Sequence, residues 1–269
     1  MRYFDAHCHI QFPHYDEDSQ ELLAKMREGE VGGLVVGVDR ESSEKAIATT
    51  SLSTAEAPLY ATVGLHPNHD DESFAVEAYK VLAVHPKVVA IGECGLDYYR
   101  PEDAESAKGS QKESFLAHIE LAAELDKPLM LHIRPSKGTM NAYDDALEML
   151  IEARAVHGDR IRGNSHFHTG DLEVSKRLID LGFTCSFTAV LTFTADYDEV
   201  VRTLPLESIL TETDSPYVAP ADNRGKRNDP LAVHQVVAAL ARIRGVDEEV
   251  IRRAALLNAV RIFKLGSTP

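Results

Sequence analysis

Histidines and carboxylates stand at the ends of apolar runs throughout this chain: His7 and His9 in "DAHCH", His66 in "VGLHP", Glu93 in "IGECGLD", His132 in "LMLHIR", His166 in "GNSHFH" and Asp214 in "LTETDSP". Imidazole and carboxylate together form a donor set suited to zinc, manganese, iron, nickel or cobalt. Side chains alternate along a strand, so His7 and His9 share a face and can grip one ion, while Cys8 points the other way. Taken singly, each residue has a plainer reading as a core histidine with satisfied hydrogen bonds or as a helix cap. Taken together they do not, because burying so many ionisable groups costs several kcal/mol apiece unless a cation or hydrogen bonds compensate. Six donors, His7, His9, Glu93, His132, His166 and Asp214, exceed what one tetrahedral zinc uses. Two divalent ions fit better, with Glu93, from the middle of the array, as the bridging carboxylate.

Elements that would hold these residues can be read from hydrophobic pattern. Eight short β-rich runs, Tyr3 to His9, Leu34 to Val38, Leu59 to Val63, Val88 to Glu93, Leu129 to His132, Ile161 to His166, Phe183 to Phe187 and Ile209 to Thr213, alternate with segments of helical periodicity. "DSQELLAKMREG", "KESFLAHIELAAEL", "AYDDALEMLIEARA" and "EVSKRLIDLG" are helical, the last closed by Gly182, and two or three more helices follow the eighth run. Eight strand–helix units in 269 residues is the count of an α/β fold of the (β/α)8 TIM-barrel type, with a doubly wound open sheet as the alternative. The barrel places chemistry at the carboxyl ends of its strands, and the polar residues named above lie at those ends.

Composition bounds the rest. With 44% hydrophobic and 26% charged residues and no low-complexity run, the chain reads as one globular domain over 1–269. No apolar stretch is long enough for a bilayer and no secretory signal is seen, which gives a cytoplasmic expectation with no membrane and no obligate protein partner. The three cysteines, Cys8, Cys94 and Cys185, form no disulfide framework. Twenty-eight basic against 43 acidic residues leave a net charge of −15, which repels a long duplex but not a strand end brought to a local cationic centre. There is no GxSxG elbow, P-loop or GxGxxG turn.

The ordered segments "FDAHCHI", "VGLHP", "IGECGLDYYR", "PLMLHIR", "SHFHTG", "LGFTCSF", "ILTETDSPYVAP", "RGKRNDP" and "NAVRIF" resemble the TatD family of metal-dependent deoxyribonucleases, in the amidohydrolase superfamily. The resemblance implies that His7, His9 and Asp214 hold the more buried of two metal ions, that His132 and His166 hold the second, and that Glu93 bridges them. It departs from the family pattern at Gln11, at "PSKGTMNAYDD" where the family carries a short acidic stretch, at His168 where it has Phe, and at "SFTAV"; the metal ligands are untouched.

The expected reaction is hydrolysis of a phosphodiester in DNA by metal-activated water, with zinc, manganese or magnesium as the ions and Glu93 and Asp214 as the catalytic carboxylates. Asp214 takes the proton from water or serves only as a ligand. His66, Arg134, His168 and Arg224 are the substrate-binding candidates, since guanidinium suits phosphate, and Lys226 and Arg227 lie in the same late loop. Tyr98 or Tyr99 would stack on a base. The resemblance implies 3′ to 5′ attack on single-stranded or frayed ends. A small-molecule hydrolase of lactone, amide or phosphoester, and a non-enzymatic metal-binding scaffold, are the two alternatives.

Overall fold

A computed structural model describes residues 1–69, 73–100 and 104–266, without the side chains of 104–106. Its eight parallel strands are β1 (Tyr3–Cys8), β2 (Val31–Val36), β3 (Leu59–Val63), β4 (Val88–Asp97), β5 (Leu129–Arg134), β6 (Gly163–Ser165), β7 (Phe183–Phe187) and β8 (Ile209–Thr211), paired in sequence order. The helices between them are α1 (Ser19–Glu28), α2 (Arg40–Thr49), α3 (Val76–Ala83), α4 (Ala104–Glu124), α5 (Asn141–His157), α6 (Leu172–Asp180) and α7 (Asp198–Thr203); α8 (Val233–Arg244) and α9 (Glu248–Ile262) follow β8. This is the (β/α)8 barrel, and sequential pairing of all eight strands rules out the doubly wound order. Of the two or three helices expected after the eighth run, two are present among the described residues, and α9 runs unbroken from Glu248 to Ile262. Gly182 does stop α6, with φ of 88° and its N–H on the Ile179 carbonyl.

The ring closes between β8 and β1 through side chains as much as through backbone. Asp5 accepts from the N–H and hydroxyl of Thr213, the Asp214 N–H donates to the His7 carbonyl, and the His9 N–H donates to the Ser215 carbonyl. Phe4, Ala6, Leu34, Val36, Ala90, Met130 and Leu210 fill the barrel and are sealed at the amino end of β1 by Ile262, Phe263 and Leu265. A larger apolar layer, including Leu59, Ile91, Phe115, Tyr143 and Leu147, packs strands against helices.

Two irregularities re-aim side chains towards the site. Between Asp5 and Cys8 on β1, three steps oppose two on β2; between Ile91 and Cys94 on β4, three steps oppose two on β5. Such bulges turn a strand over locally. Phe4 and Ala6 therefore face the barrel core and so do His7 and His9, inward-facing Glu93 comes three positions after inward-facing Ala90, and Cys8 goes to the outer layer. No described helix is long and apolar enough to cross a membrane.

Candidate metal centre

Six side chains from five strands converge at the carboxyl end of the barrel, and Glu93 sits between two sets of them. Its Oε2 lies 3.3 Å from His7 Nε2 and 4.0 Å from His9 Nε2. Its Oε1 lies 2.9 Å from His132 Nδ1 and 3.2 Å from His166 Nε2. Asp214, just past β8, completes the first set, with Oδ1 3.6 Å from His9 Nε2 and 3.9 Å from His7 Nε2. The six residues that sequence reasoning placed together are together. Glu93 is 3% exposed and His7 fully buried, so no bulk water compensates this charge.

Hydrogen bonds on the outer side of the rings decide what the inner side offers. His9 Nδ1 donates to the Val36 carbonyl at 2.9 Å, because a carbonyl only accepts. His166 Nδ1 faces the carboxylate of Glu212 at 3.2 Å, and His132 Nε2 faces that of Asp97 at 3.1 Å. With that proton outside, the rings of His9, His132 and His166 in their neutral form turn a bare lone pair inward, at a Glu93 oxygen for His132 and His166 and at His7 Nε2, 3.1 Å away, for His9. Lone pairs aimed at carboxylate oxygens repel unless a metal ion or a second proton stands between them, and a buried cluster of six such groups with a shared carboxylate is a donor set for the former. The residues present therefore fit divalent metal, with His7, His9, Glu93 and Asp214 as one donor set and Glu93, His132 and His166 as the other.

Without a metal ion, protons supply the positive charge: burial lowers His132 and His166, but Asp97 and Glu93 on the one and Glu93 and Glu212 on the other outweigh it and raise both above the ordinary imidazole value, His166 well above. Burial pushes the Glu93 carboxyl up, but the fields of His166, His7 and His66 and the bond from His132 outweigh it and hold Glu93 well below the usual carboxylate range. Asp214 shows the same balance: burial raises it, and the contact with His9 and the fields of His166 and His7 bring it down. Both carboxylates are ionised and ready to ligate.

Two carboxylates that sequence reasoning missed hold the ligands in place. Glu212 accepts from His166, from the Phe167 N–H at 2.6 Å and from the Ser186 hydroxyl, and Ser186 is itself tied to Asn164, which is tied to Thr184. Asp97 accepts from His132, from Asn68 Nδ2 at 2.8 Å and from the N–H groups of Tyr99 and Arg100. Both occur inside motifs already singled out, "TETDSP" and "GECGLD", and an acid two residues from a ligand or four beyond it was the available signal.

A half-enclosed cavity of about 1100 Å³ opens above the centre. His66 lines it, with Nε2 3.6 Å from Glu93 Oε1, and Arg134 lines it with its guanidinium 4.1 Å over the ring of Tyr99. Two substrate-binding expectations are corrected. His168 is buried, its ring nitrogens bonded to the hydroxyls of Ser165 and Ser175 at 3.0 and 2.7 Å, and burial lowers its pKa to about 3, so it is a neutral wall histidine. Phe167, at φ of 41°, breaks the strand alternation and takes the cavity position instead. Arg224 does not line the cavity; it is exposed and lies 3.9 Å over Phe193 on the outer surface. Arg227 is paired with Asp18 and Tyr98 is buried with its hydroxyl on Asp145, which leaves Tyr99 as the half-exposed ring. Cys8 and Cys94 are buried with their sulfurs on backbone carbonyls of the neighbouring strands.

The sequence model described as "TatD related DNase" matches residues 4–264. The Bacillus subtilis (strain 168) "uncharacterized metal-dependent hydrolase YabD" is 34% identical over 270 residues, covering 98% of this chain and 99% of the relative. YcfH of Escherichia coli (strain K12), named in the same words, is 32% identical over 277 residues, covering 98% and 96%. Among solved structures, YJJV, a TatD homologue from Escherichia coli K12, superposes with a TM-score of 0.87 at 26% identity over 98% of this chain and 99% of that one.

Proposed function

Because the chain belongs to the family of TatD-related DNases and is a metal-dependent hydrolase, we propose that it removes nucleotides from the 3′ ends of single-stranded or frayed DNA. The observation that carries this reading is the division of Glu93, one oxygen to His7 and His9 and the other to His132 and His166. A carboxylate so shared suits two ions side by side, the arrangement used to cleave phosphodiesters. When bound, two divalent ions, zinc, manganese or magnesium, supply Lewis acidity for the phosphate oxygens and lower the pKa of the attacking water.

The protein's own groups do the rest. Glu93, held ionised, fixes the relation of the two donor sets. Asp214 turns Oδ1 to His7 and His9, and its second oxygen accepts the proton of the attacking water. His66 and Arg134 line the approach and orient the phosphate, the guanidinium being held flat on Tyr99. The negative surface favours an end over an internal duplex stretch, since an end can be brought to the cations that line the cavity.

The test is nucleotide release from 3′-labelled and 5′-labelled single-stranded DNA by metal-stripped protein resupplied with magnesium, manganese or zinc. Metal-restored loss of the 3′ label, reduced roughly 10²–10⁴-fold in Asp214→Asn and abolished in Glu93→Ala, is the expected result. Intact DNA alongside rapid turnover of a small ester would replace the DNA reading with a small-molecule one.

A further inference from the structure

We infer that Arg100 and Lys137 form a second phosphate subsite at the rim of the cavity, gripping the phosphodiester next to the one being cut. The inference rests on the DNA reading above and goes beyond it, because it sets the smallest substrate the site handles well.

Charge within the cavity is arranged by depth. The carboxylates in its lining are Glu93 and Asp214, both at the floor and committed to the histidines; the rim carries Arg100, Arg134 and Lys137. Arg100 and Lys137 have no acidic partner among the described residues. Several arginines outside the cavity are neutralised by an acid: Arg40 pairs with Glu44, Arg154 with Asp159, Arg162 with Asp126, Arg202 with Asp198 and Arg227 with Asp18. Two unpaired cations facing one cavity, in a molecule of net charge −15, are suited to an anion that arrives from outside.

Both residues are presented by fixed backbone. The Arg100 N–H bonds Asp97 Oδ1 at 3.1 Å, and Asp97 Oδ2 meets His132 Nε2 at 3.1 Å, so one carboxylate sets the rim cation and a metal-side ring together. Lys137 sits in the turn after β5, which is pinned by the Ser136 hydroxyl on the Tyr98 carbonyl, the Ser136 N–H on Asn141 Oδ1 and the Thr139 N–H on the Ser136 carbonyl. Along β5, Arg134 lies two residues beyond His132 on the same face, about 7 Å further from the floor, and Lys137 follows at the mouth. Arg134 orients the phosphate at the floor, and Arg100 and Lys137, exposed at the mouth of the same cavity, stand where the next phosphate of an outgoing strand can take charge-assisted hydrogen bonds.

The experiment compares thymidylyl-thymidine, with one phosphodiester, and the tetranucleotide dT4, with three, as substrates of the metal-loaded enzyme and of Arg100→Ala/Lys137→Ala. The wild type is expected to favour dT4 at least tenfold in kcat/KM. The double variant should lose that preference through KM, its fall on dT4 exceeding its fall on the dinucleotide at least tenfold. Releasing the one phosphate they neutralise should also flatten the slope of log(kcat/KM) against log salt by about 0.7. The charge-retaining Arg100→Lys/Lys137→Arg should recover most of the preference. Equal losses on both substrates, an unchanged preference, or a wild type that cuts both equally well would overturn the subsite while leaving the DNA reading standing. A wild type that cuts neither yet hydrolyses bis(4-nitrophenyl) phosphate would defeat the DNA reading and the subsite with it.

Discussion

His166 shows how far a ligand depends on what stands behind it. Its Nδ1 is held by Glu212, and Glu212 is held in turn by Ser186 and the Phe167 N–H. Removing such a partner leaves the ring free to rotate or change tautomer, at a cost of about 10–100-fold in metal affinity or activity. Glu212→Gln is expected to weaken metal binding by that factor in a chelator competition, with the second equivalent lost first; unchanged affinity would show that Glu212 only packs. The ligands themselves were legible because their spacing and strand-end positions say what they face. Glu212 and Asp97 were not, since their partners lie 46 and 35 residues away and only the folded barrel joins them. His168, expected at the substrate, is turned away for a local reason: the left-handed backbone at Phe167 ends the strand geometry and puts Phe167 at the cavity instead.

At the scale of elements, β4 is the strand on which the site turns. Gly95, at φ of 138°, lies against β5 so closely that a Cβ would stand 2.1 Å from the His132 carbonyl oxygen, and at Gly92 it would stand 2.3 Å from that of Met130. Gly95→Ala must push β4 and β5 apart at the level of Glu93 and His132. It should cost roughly 2–4 kcal/mol of stability in denaturant unfolding and reduce metal binding together with it. A variant with wild-type stability would mean that the two strands have room to spare. The strands were legible as short apolar runs because the barrel buries them on both faces; β3 and β7 run exactly from Leu59 to Val63 and from Phe183 to Phe187. Hidden from the sequence were the bulges on β1 and β4, since an extra residue in a run of apolar and small side chains leaves no mark in the pattern. The second strand also starts earlier than its run, at Val31, because Gly32 and Gly33 interrupt the hydrophobic signal without interrupting the pairing.

At the scale of the whole molecule, two neutral histidines tie stability to pH. His118 donates from Nδ1 to the Ser114 carbonyl at 2.7 Å and accepts the Leu65 N–H at Nε2, while His168 lies between two hydroxyls. Burial lowers each to about 3 from an ordinary 6.5. Above 6.5 both are neutral folded and unfolded, and their packing contributes in full. As pH falls from 6.5 towards 3 the unfolded chain takes up protons that the folded one refuses, so stability is progressively lost. By pH 5 the loss is on the order of 2 kcal/mol per histidine. Denaturant unfolding of the metal-stripped protein at pH 7 and pH 5 should show it, with His118→Gln losing measurably less than wild type; an identical pH dependence would remove His118 from the explanation.

The most direct measurement on the central claim, that Glu93 joins two metal sites into one hydrolytic centre, is a metal titration of stripped protein followed simultaneously by bound equivalents and by nucleotide release. The account predicts two equivalents per chain, activity that appears with the second, and in Glu93→Gln a loss of both the second equivalent and the activity. Full activity at a single bound equivalent, or two equivalents and full activity retained in Glu93→Gln, would contradict it.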